Sequence, residues 1–237
     1  MNLLLLHPSD FTSKSEARIY DRRYDHLKKI IKAELGQSID IGLLNEKCGA
    51  GKVTAIDDKS FTLSIQFNAD PPPPVAITLI LALPRPLMLK RILQTVTSMG
   101  IKEIHLINSQ RVEKSYWNSS DLADDVIYHQ LILGLEQARD TMLPAIYMHR
   151  DFKSFISHEL VNIIRNKYAL LADLGNHPPC PGNIRQPTVL AVGPEGGFLA
   201  DEIAHFINAG FLPVQIGERP LRVEAAVNVL VGRLLPL

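Results

Sequence analysis

The clearest hydrophobic pattern lies in the C-terminal third of the chain. Val189-Leu190-Ala191-Val192, bounded by Thr188 and Gly193, is a short apolar run that predicts a buried strand. It passes through Gly193-Pro194-Glu195-Gly196-Gly197 into Leu199, Ile203, Phe206, Ile207 and Gly210, spaced i, i+4, i+7, i+8 and i+11 as on one helical face. Asp201 and Glu202 fall in the first turn of that helix, where acidic groups suit the positive end of its dipole. A second predicted strand, Pro213–Ile216, leads through Gly217-Glu218-Arg219-Pro220-Leu221-Arg222 into an apolar C-terminal helix.

Upstream the periods differ. Residues 1–67 read as a small β-rich unit with one helix. Strands are predicted over Asn2–Leu6, Ile39–Leu44, Lys52–Ile56 and Phe61–Phe67, the last with apolar and polar residues alternating. Tyr24, Leu27, Ile30, Ile31 and Leu35 predict an amphipathic helix ending at Gly36, and Cys48-Gly49-Ala50-Gly51 reads as a turn. Short strands so closely spaced suggest a small barrel. Pro71–Pro74 forms a stiff spacer without backbone donors, which divides the chain into expected domains 1–70 and 75–237.

From Val75 strands and helices alternate. Strands are predicted at Val75–Leu83, Glu103–Ile107, Ala145–Met148 and Tyr168–Ala172, and helices at Leu87–Met99, Asp121–Gln137 and Phe152–Arg165. A Pro- and Gly-rich loop follows over 175–187. The expected fold class is α/β, with a parallel sheet covered on both faces. In the last helix Ala225, Ala226, Val227, Val229, Leu230, Val231, Leu234 and Leu235 leave only Glu224, Asn228 and Gly232 as a polar stripe. A helix this apolar is buried on more than one side, either inside its own domain or against the same helix of a partner in a homodimer.

Composition narrows the class. The 237 residues carry 25 basic and 25 acidic side chains, so net charge neither supports nor excludes a nucleic-acid partner. Cys48 and Cys180 are far apart in the chain and form no C-x-x-C, and the eight histidines are scattered, so no metal is expected and a reducing cytoplasm fits. Leu3–Leu6 is too short for a signal-peptide core, and Val75–Leu83, broken only by Thr78, is well below a membrane span.

The chemistry centres on the two strand-to-helix turns. G-P-E-G-G is neither a dinucleotide fingerprint nor a Walker A loop, but its glycines allow backbone N–H groups to approach a ligand. With the Arg- and Glu-bearing turn after Pro213–Ile216, it reads as two walls of one site; a tight turn with no ligand is the plainer alternative. Local basic clusters add to this. Lys14, Arg18, Arg22, Arg23, Lys28, Lys29 and Lys32 outnumber Glu16, Asp21 and Asp25, and Arg85, Lys90, Arg91, Lys102, Arg111 and Lys114 outnumber Glu103 and Glu113. They could track a phosphate backbone or simply form solvated faces.

The pair V-G-P-E-G-G-F-x-x-D-E-I and I-G-E-R-P-L-R-V-E-A-A resembles the signature of the RsmE family within the SPOUT superfamily. Members of that family use S-adenosylmethionine to methylate N3 of a uridine in 16S ribosomal RNA of the small subunit. The resemblance implies a PUA-like, RNA-binding barrel followed by a trefoil-knotted α/β methyltransferase domain, a cytoplasmic enzyme and a homodimer packed through the C-terminal helix. It implies cofactor contacts from Leu171, Ala172 and Leu174, from Gly193, Pro194, Glu195, Gly196 and Gly197, and from Ile216, Gly217 and Leu221. Arg219, Arg222 and Glu224 are the implied catalytic and uridine-contacting residues, Arg222 foremost. Arg18, Arg22, Arg23, Arg85, Arg91 and Arg139 are the expected RNA contacts. The chain departs from the family pattern at Ala225, where Thr is usual, and in Glu136-Gln137-Ala138-Arg139, which is one residue short. Action on another RNA or base, or a catalytically silent RNA-binding role, stays open at this point.

Overall fold

A computed structural model describes residues 2–236; Met1 and Leu237, which the expected domain ranges include, lie outside the described residues. The chain separates into two compact units. One extends to Pro73 and also contains Ile132–Leu143, and the other contains Pro74–Leu131 and the chain from Pro144 onward. The inclusion of Ile132–Leu143 departs from the two contiguous ranges expected.

The first unit is a barrel-like six-stranded sheet in the order β1-β4-β5-β6-β3-β2. Its strands are β1 (Leu4–Leu6), β2 (Phe11–Ser13), β3 (Glu16–Ile19), β4 (Ser38–Leu43), β5 (Cys48–Ile56) and β6 (Phe61–Ala69). The β1–β4 pair is parallel and the other pairs are antiparallel. Leu4, Leu6, Ile19, Leu27, Ile41, Val53, Phe61 and Leu63 form its core. Cys48–Gly51 lies in β5 rather than in a turn. A Cβ on Gly49 would stand 2.0 Å from the Gln66 carbonyl oxygen, so the glycine serves close strand approach.

The helix of this unit is α1 (Arg22–His26), continued by a wider turn over Leu27–Ile31. It stops there and does not reach Leu35, because Lys32 takes a left-handed backbone (φ 54) and Ala33 N–H turns back to the Leu27 carbonyl. Ile30 and Leu35, read as core positions from their spacing, are exposed.

Residues 132–143 join this unit through specific bonds. The Glu136 carbonyl accepts from Asn2 N–H and Leu3 N–H, and the buried Glu136 carboxylate pairs with Arg22 at 2.8 and 3.1 Å. Asn45 N–H donates to the Thr141 carbonyl, and Leu143 N–H donates to Asn45 Oδ1.

The second unit carries an all-parallel six-stranded sheet in the order β12-β10-β11-β7-β8-β9. The strands are β7 (Ile77–Ala82), β8 (Glu103–Ile107), β9 (Ala145–His149), β10 (Tyr168–Ala172), β11 (Thr188–Val192) and β12 (Leu212–Val214). Every residue of β7 and β11 is buried, as expected for strands covered on both faces. The helices are α2 (Pro86–Ser98), α3 (Asp124–Ala138, of which the part from Ile132 belongs to the first unit), α4 (Phe152–Ser154) running through a wide turn into α5 (Leu160–Ile164), α6 (Ala200–Asn208) and α7 (Val223–Leu234). α7 packs on α2 and buries Val223, Val227, Leu230, Val231 and Leu234. Among the described residues no helix is long and apolar enough to cross a membrane.

A polar chain centred on the buried Thr78 and His105 crosses β7, β8 and β9. Lys167 reaches Thr78 Oγ1 (2.8 Å) and Glu103 (3.3 Å), Glu103 meets His105 Nε2 (3.0 Å), and His105 Nδ1 meets His149 Nε2 (3.0 Å). Burial holds His105 below the usual histidine range against the opposing pull of Glu103. Burial and the neighbouring His105 likewise lower His149. For Glu103 burial acts upward, but the His105 bond and the Lys167 charge outweigh it and bring the carboxyl down.

Candidate active site at the glycine-bearing turns

The site is built at the C-terminal ends of β10, β11 and β12, where ligands bind in open parallel sheets. β11 delivers the chain into Gly193–Gly197, closed by a 2.8 Å bond from Gly197 N–H to the Pro194 carbonyl. Gly197 sits at φ +71, a conformation a Cβ would disfavour. Leu199 then starts α6, and its N–H donates to Glu202 Oε2 at 2.8 Å. The other oxygen of the buried Glu202 carboxylate accepts from Gln110 N–H, also at 2.8 Å. One side chain thus ties the loop after β8 to the glycine turn.

β12 is shorter than Pro213–Ile216 suggested. Gln215 leaves the strand and is held by the Pro178 carbonyl and by Cys180 N–H, and Ile216-Gly217 then turns toward α7. Asp173 N–H donates to the Val214 carbonyl and fixes the start of the third wall, while the Asp173 carboxylate meets His177 Nε2 at 2.7 Å.

These loops enclose a cavity of about 410 Å³, within the range of small-molecule sites. Val192, Phe198, Val214, Val223 and Leu230 give it an apolar floor, and Arg111, Glu195 and Arg219 are the exposed charged groups of its lining. Of the expected cofactor residues, Ala172, Leu174, Gly193, Pro194, Glu195, Gly196, Gly197, Ile216, Gly217 and Leu221 all line it. Leu171 does not. It is fully buried within β10, paired with Ala191 on one side and Pro213 on the other, so it belongs to the sheet.

Of the expected catalytic residues only Arg219 lines the cavity. Arg222, exposed, is the N-cap of α7, and its carbonyl accepts from Ala226 N–H; Glu224 lies half-buried in the first turn of that helix. Neither is among the lining residues: the face of α7 at the cavity is that of Val223, Ala226 and Leu230. Glu195 Oε1 accepts from Arg85 N–H at 3.1 Å, so this carboxylate is tied to the start of α2.

The expected RNA-contacting arginines divide by their surroundings. Arg23 is a correction. It is 3% exposed, bonded to Asp10, Asp21 and the Leu5 carbonyl, and its guanidinium is a structural crosslink with no surface to offer. Arg22 pairs with Glu136, Arg139 with Asp40 at 3.3 Å, and Arg18 with Asp57 at 3.1 Å and Ser60 at 2.8 Å. Hydrogen bonds from Lys59 N–H and Ser60 hold the Asp57 carboxyl down at about 2. Arg85 and Arg91 are exposed.

Arg111 was not singled out for the cavity from sequence. The signal available was its place just past the end of a parallel strand, since such loops line sites in this class of sheet. Among the described residues no group of three or more His, Cys, Asp or Glu is arranged to hold a metal ion.

The glycine turns suit a ligand approached by backbone, and comparison with known proteins identifies the kind of domain. Residues 71–235 match the family described as RNA methyltransferase domain. The ribosomal RNA small subunit methyltransferase E of Treponema pallidum is 31% identical over 215 residues, covering 87% of this chain and 79% of that protein. The ribosomal RNA small subunit methyltransferase E 1 of Borreliella burgdorferi is 28% identical over 226 residues, covering 95% of this chain and 94% of that protein. In fold, the chain is similar to a ribosomal RNA small subunit methyltransferase E from Neisseria gonorrhoeae bound to S-adenosyl methionine, with a TM-score of 0.76 at 21% identity over 98% of this chain and 95% of that one. The chain belongs to the RNA methyltransferase domain family and, within it, to the RsmE family.

Proposed function

We propose that this protein methylates N3 of a uridine in the 16S ribosomal RNA of the small subunit, with S-adenosylmethionine as donor. The observation that carries the reading is the cavity between the two glycine-bearing turns, in a chain of this family. When bound, the cofactor supplies an electrophilic methyl carbon on a sulfonium sulfur. The chain's own residues do the rest. Gly193–Gly197 and Ile216-Gly217 would present backbone groups to the cofactor, and Phe198, Val214 and Leu230 would exclude water from it. Arg219 lines the same space and would stabilise negative charge on the uracil carbonyl oxygens as N3 gives up its proton to a base or bound water and takes the methyl group, leaving S-adenosylhomocysteine. Holding N3 in line with the methyl group is most of the remaining task. Arg222 and Glu224, on the segment just beyond, contact the RNA around the target base.

Further features belong to the same reading. The barrel-like sheet is a PUA-like RNA-binding domain, with Arg18, Arg22 and Arg139 at its surface and Arg85 and Arg91 on the second unit as added phosphate contacts. The loops around β10, β11 and β12 form a trefoil knot. The protein is a cytoplasmic homodimer packed through α7, where Val229 remains 48% exposed beside the half-buried Ala225 and Ala226.

Calorimetric titration with S-adenosylmethionine and S-adenosylhomocysteine should give about one site per chain, and unmodified small subunits should acquire a methyl group that nucleoside mass spectrometry places on uridine N3. Binding without transfer to any RNA would favour a catalytically silent binder. Transfer to another base would reject the assigned substrate.

A further inference from the structure

Arg111 is an arginine whose surroundings ask for an anion. The segment that carries it is fixed from several sides. Asn108 N–H donates to the His149 carbonyl, Asn108 Oδ1 accepts from Trp117 Nε1, Gln110 N–H is held by Glu202, and Val112 N–H closes a turn onto the Ser109 carbonyl. The side chain then crosses the glycine turn. Its Nη1 donates to the Gly196 carbonyl, and a Cβ on Gly196 would lie 3.0 Å from Arg111 Cδ. The stem therefore rests on the one place in the turn where the absence of a side chain makes room for it.

The guanidinium lines the cavity, is exposed, and makes no ion pair with a carboxylate of the described residues. A guanidinium has five N–H donors, and a carbonyl bond to one of them leaves the charge unneutralised. Of the two carboxylates in the lining, Glu195 is directed to Arg85 N–H and Asp173 to His177 Nε2. Arg219 lines the same cavity.

We propose that Arg111 binds a phosphate oxygen of the RNA strand beside the target nucleotide, at the exposed end of the cavity. This rests on the reading of the site as an RNA methyltransferase. The position favours RNA over the carboxylate of the cofactor: Arg111 sits over Gly196, an exposed residue, whereas Gly193 and Pro194 at the inner end of the turn are buried.

The test uses the full chain, purified 16S ribosomal RNA in a filter-binding titration across salt concentrations, and S-adenosylhomocysteine in calorimetry. Arg111→Ala should weaken RNA binding about tenfold, the size of one charge-assisted hydrogen bond. It should also lower the slope of log affinity against log salt by about 1. S-adenosylhomocysteine affinity should stay within about twofold, less than one hydrogen bond is worth. Arg111→Gln keeps a donor for the Gly196 carbonyl without the charge and should behave like Arg111→Ala toward RNA. If Arg111→Gln binds RNA with the unaltered slope, the side chain only ties the turn and the proposal is wrong. If the main loss is in S-adenosylhomocysteine affinity, the arginine belongs to the cofactor and the proposal is again wrong. Because RNA binding is read directly, a wild-type protein that transfers no methyl group but shows the Arg111-dependent slope would sink the catalytic reading and leave this one standing.

Discussion

Asp10 and Arg23 meet through two hydrogen bonds, of 2.6 and 2.7 Å, with both side chains almost wholly buried. Asp21 is a second carboxylate on the same guanidinium, and burial, which works against the charge, is outweighed by these partners, so Arg23 stays protonated far above neutral pH. The pair is a crosslink between the turn after β1 and the start of α1.

Asp10 is the buried one of the two carboxylates on Arg23, so its loss leaves the buried guanidinium only the exposed Asp21. Asp10→Ala should destabilise the first unit by about 3–5 kcal/mol, whereas replacing both residues with apolar ones should cost far less. Denaturant unfolding combined with amide exchange in β1 and α1 reads both. Equal losses in the single and double variants would mean that packing, not charge, is what the site provides.

Gly197 and Gly196 should differ as substitution sites. Gly197→Ala places a Cβ on a left-handed backbone at φ +71, a strain of about 1–2 kcal/mol. A turn strained by that much gives up the shape that presents its N–H groups, and S-adenosylmethionine affinity should fall roughly tenfold. Gly196→Ala meets only the Arg111 side chain, so it should disturb RNA affinity more than cofactor affinity. Calorimetry on both variants decides. Equal cofactor affinities in the two would argue against this turn as the cofactor wall.

Arg219 lines the cavity and Arg222 does not. Arg219→Ala should therefore lower kcat by about 10²–10³, the usual cost of losing a group that stabilises developing charge. Arg222→Ala should raise KM for small subunits and leave kcat close to wild type. Steady-state methylation kinetics would expose the opposite ordering, which would move the catalytic role to the N-cap of α7.

The His105–His149 pair makes stability depend on pH. With His105 Nε2–H donating to Glu103, His105 Nδ1 is left to accept from His149 Nε2–H, an arrangement of two neutral rings. Glu103, Lys167 and Glu159 are the charged groups acting on the pair. Both histidines are lowered in the folded state, so below about 6.5 the unfolded chain binds more protons and stability falls as pH drops. The lowered Glu103 adds stability above its unfolded value that is lost as pH falls through its folded one. Melting temperature should decline between pH 7 and pH 5, and His149→Gln should flatten that decline. An unchanged slope in the variant would assign the effect elsewhere.

The sequence was most legible where burial on both faces made local pattern sufficient. Glu103–Ile107 and Tyr168–Ala172 coincide with β8 and β10 because the second is an apolar run and the first carries Ile104, Leu106 and Ile107 around a single histidine. In the first unit local pattern competed with packing. Phe11–Ser13 and Glu16–Ile19 pass unnoticed because their outward residues are polar or charged, and Cys48–Gly51 looks like a turn until the approach of Gln66 is known. Ile30 and Leu35 keep a helical spacing that the structure does not use. At the site, the glycines could be read as loop shape, and they line the cavity. Arg111 could not, because its side chain reaches Gly196 over a sequence separation of 85, a contact no local window contains. Arg23 looked like its basic neighbours, and only the burial of Asp10 distinguishes it.

The place of Ile132–Leu143 in the first unit has a consequence for biosynthesis. As the chain emerges from the ribosome, everything up to Pro73 is available well before Leu143, 70 residues later by subtraction (143 − 73). At roughly 5–20 residues per second that is a wait of about 4–14 s. Until then Asn2 N–H, Leu3 N–H and the Arg22 guanidinium lack Glu136, and Asn45 lacks Thr141 and Leu143. The nascent barrel is therefore an unfinished object waiting for a segment encoded inside the next one. A gene fragment ending at the proline run should yield a product that needs a chaperone or a supplied 132–143 peptide to reach its native state.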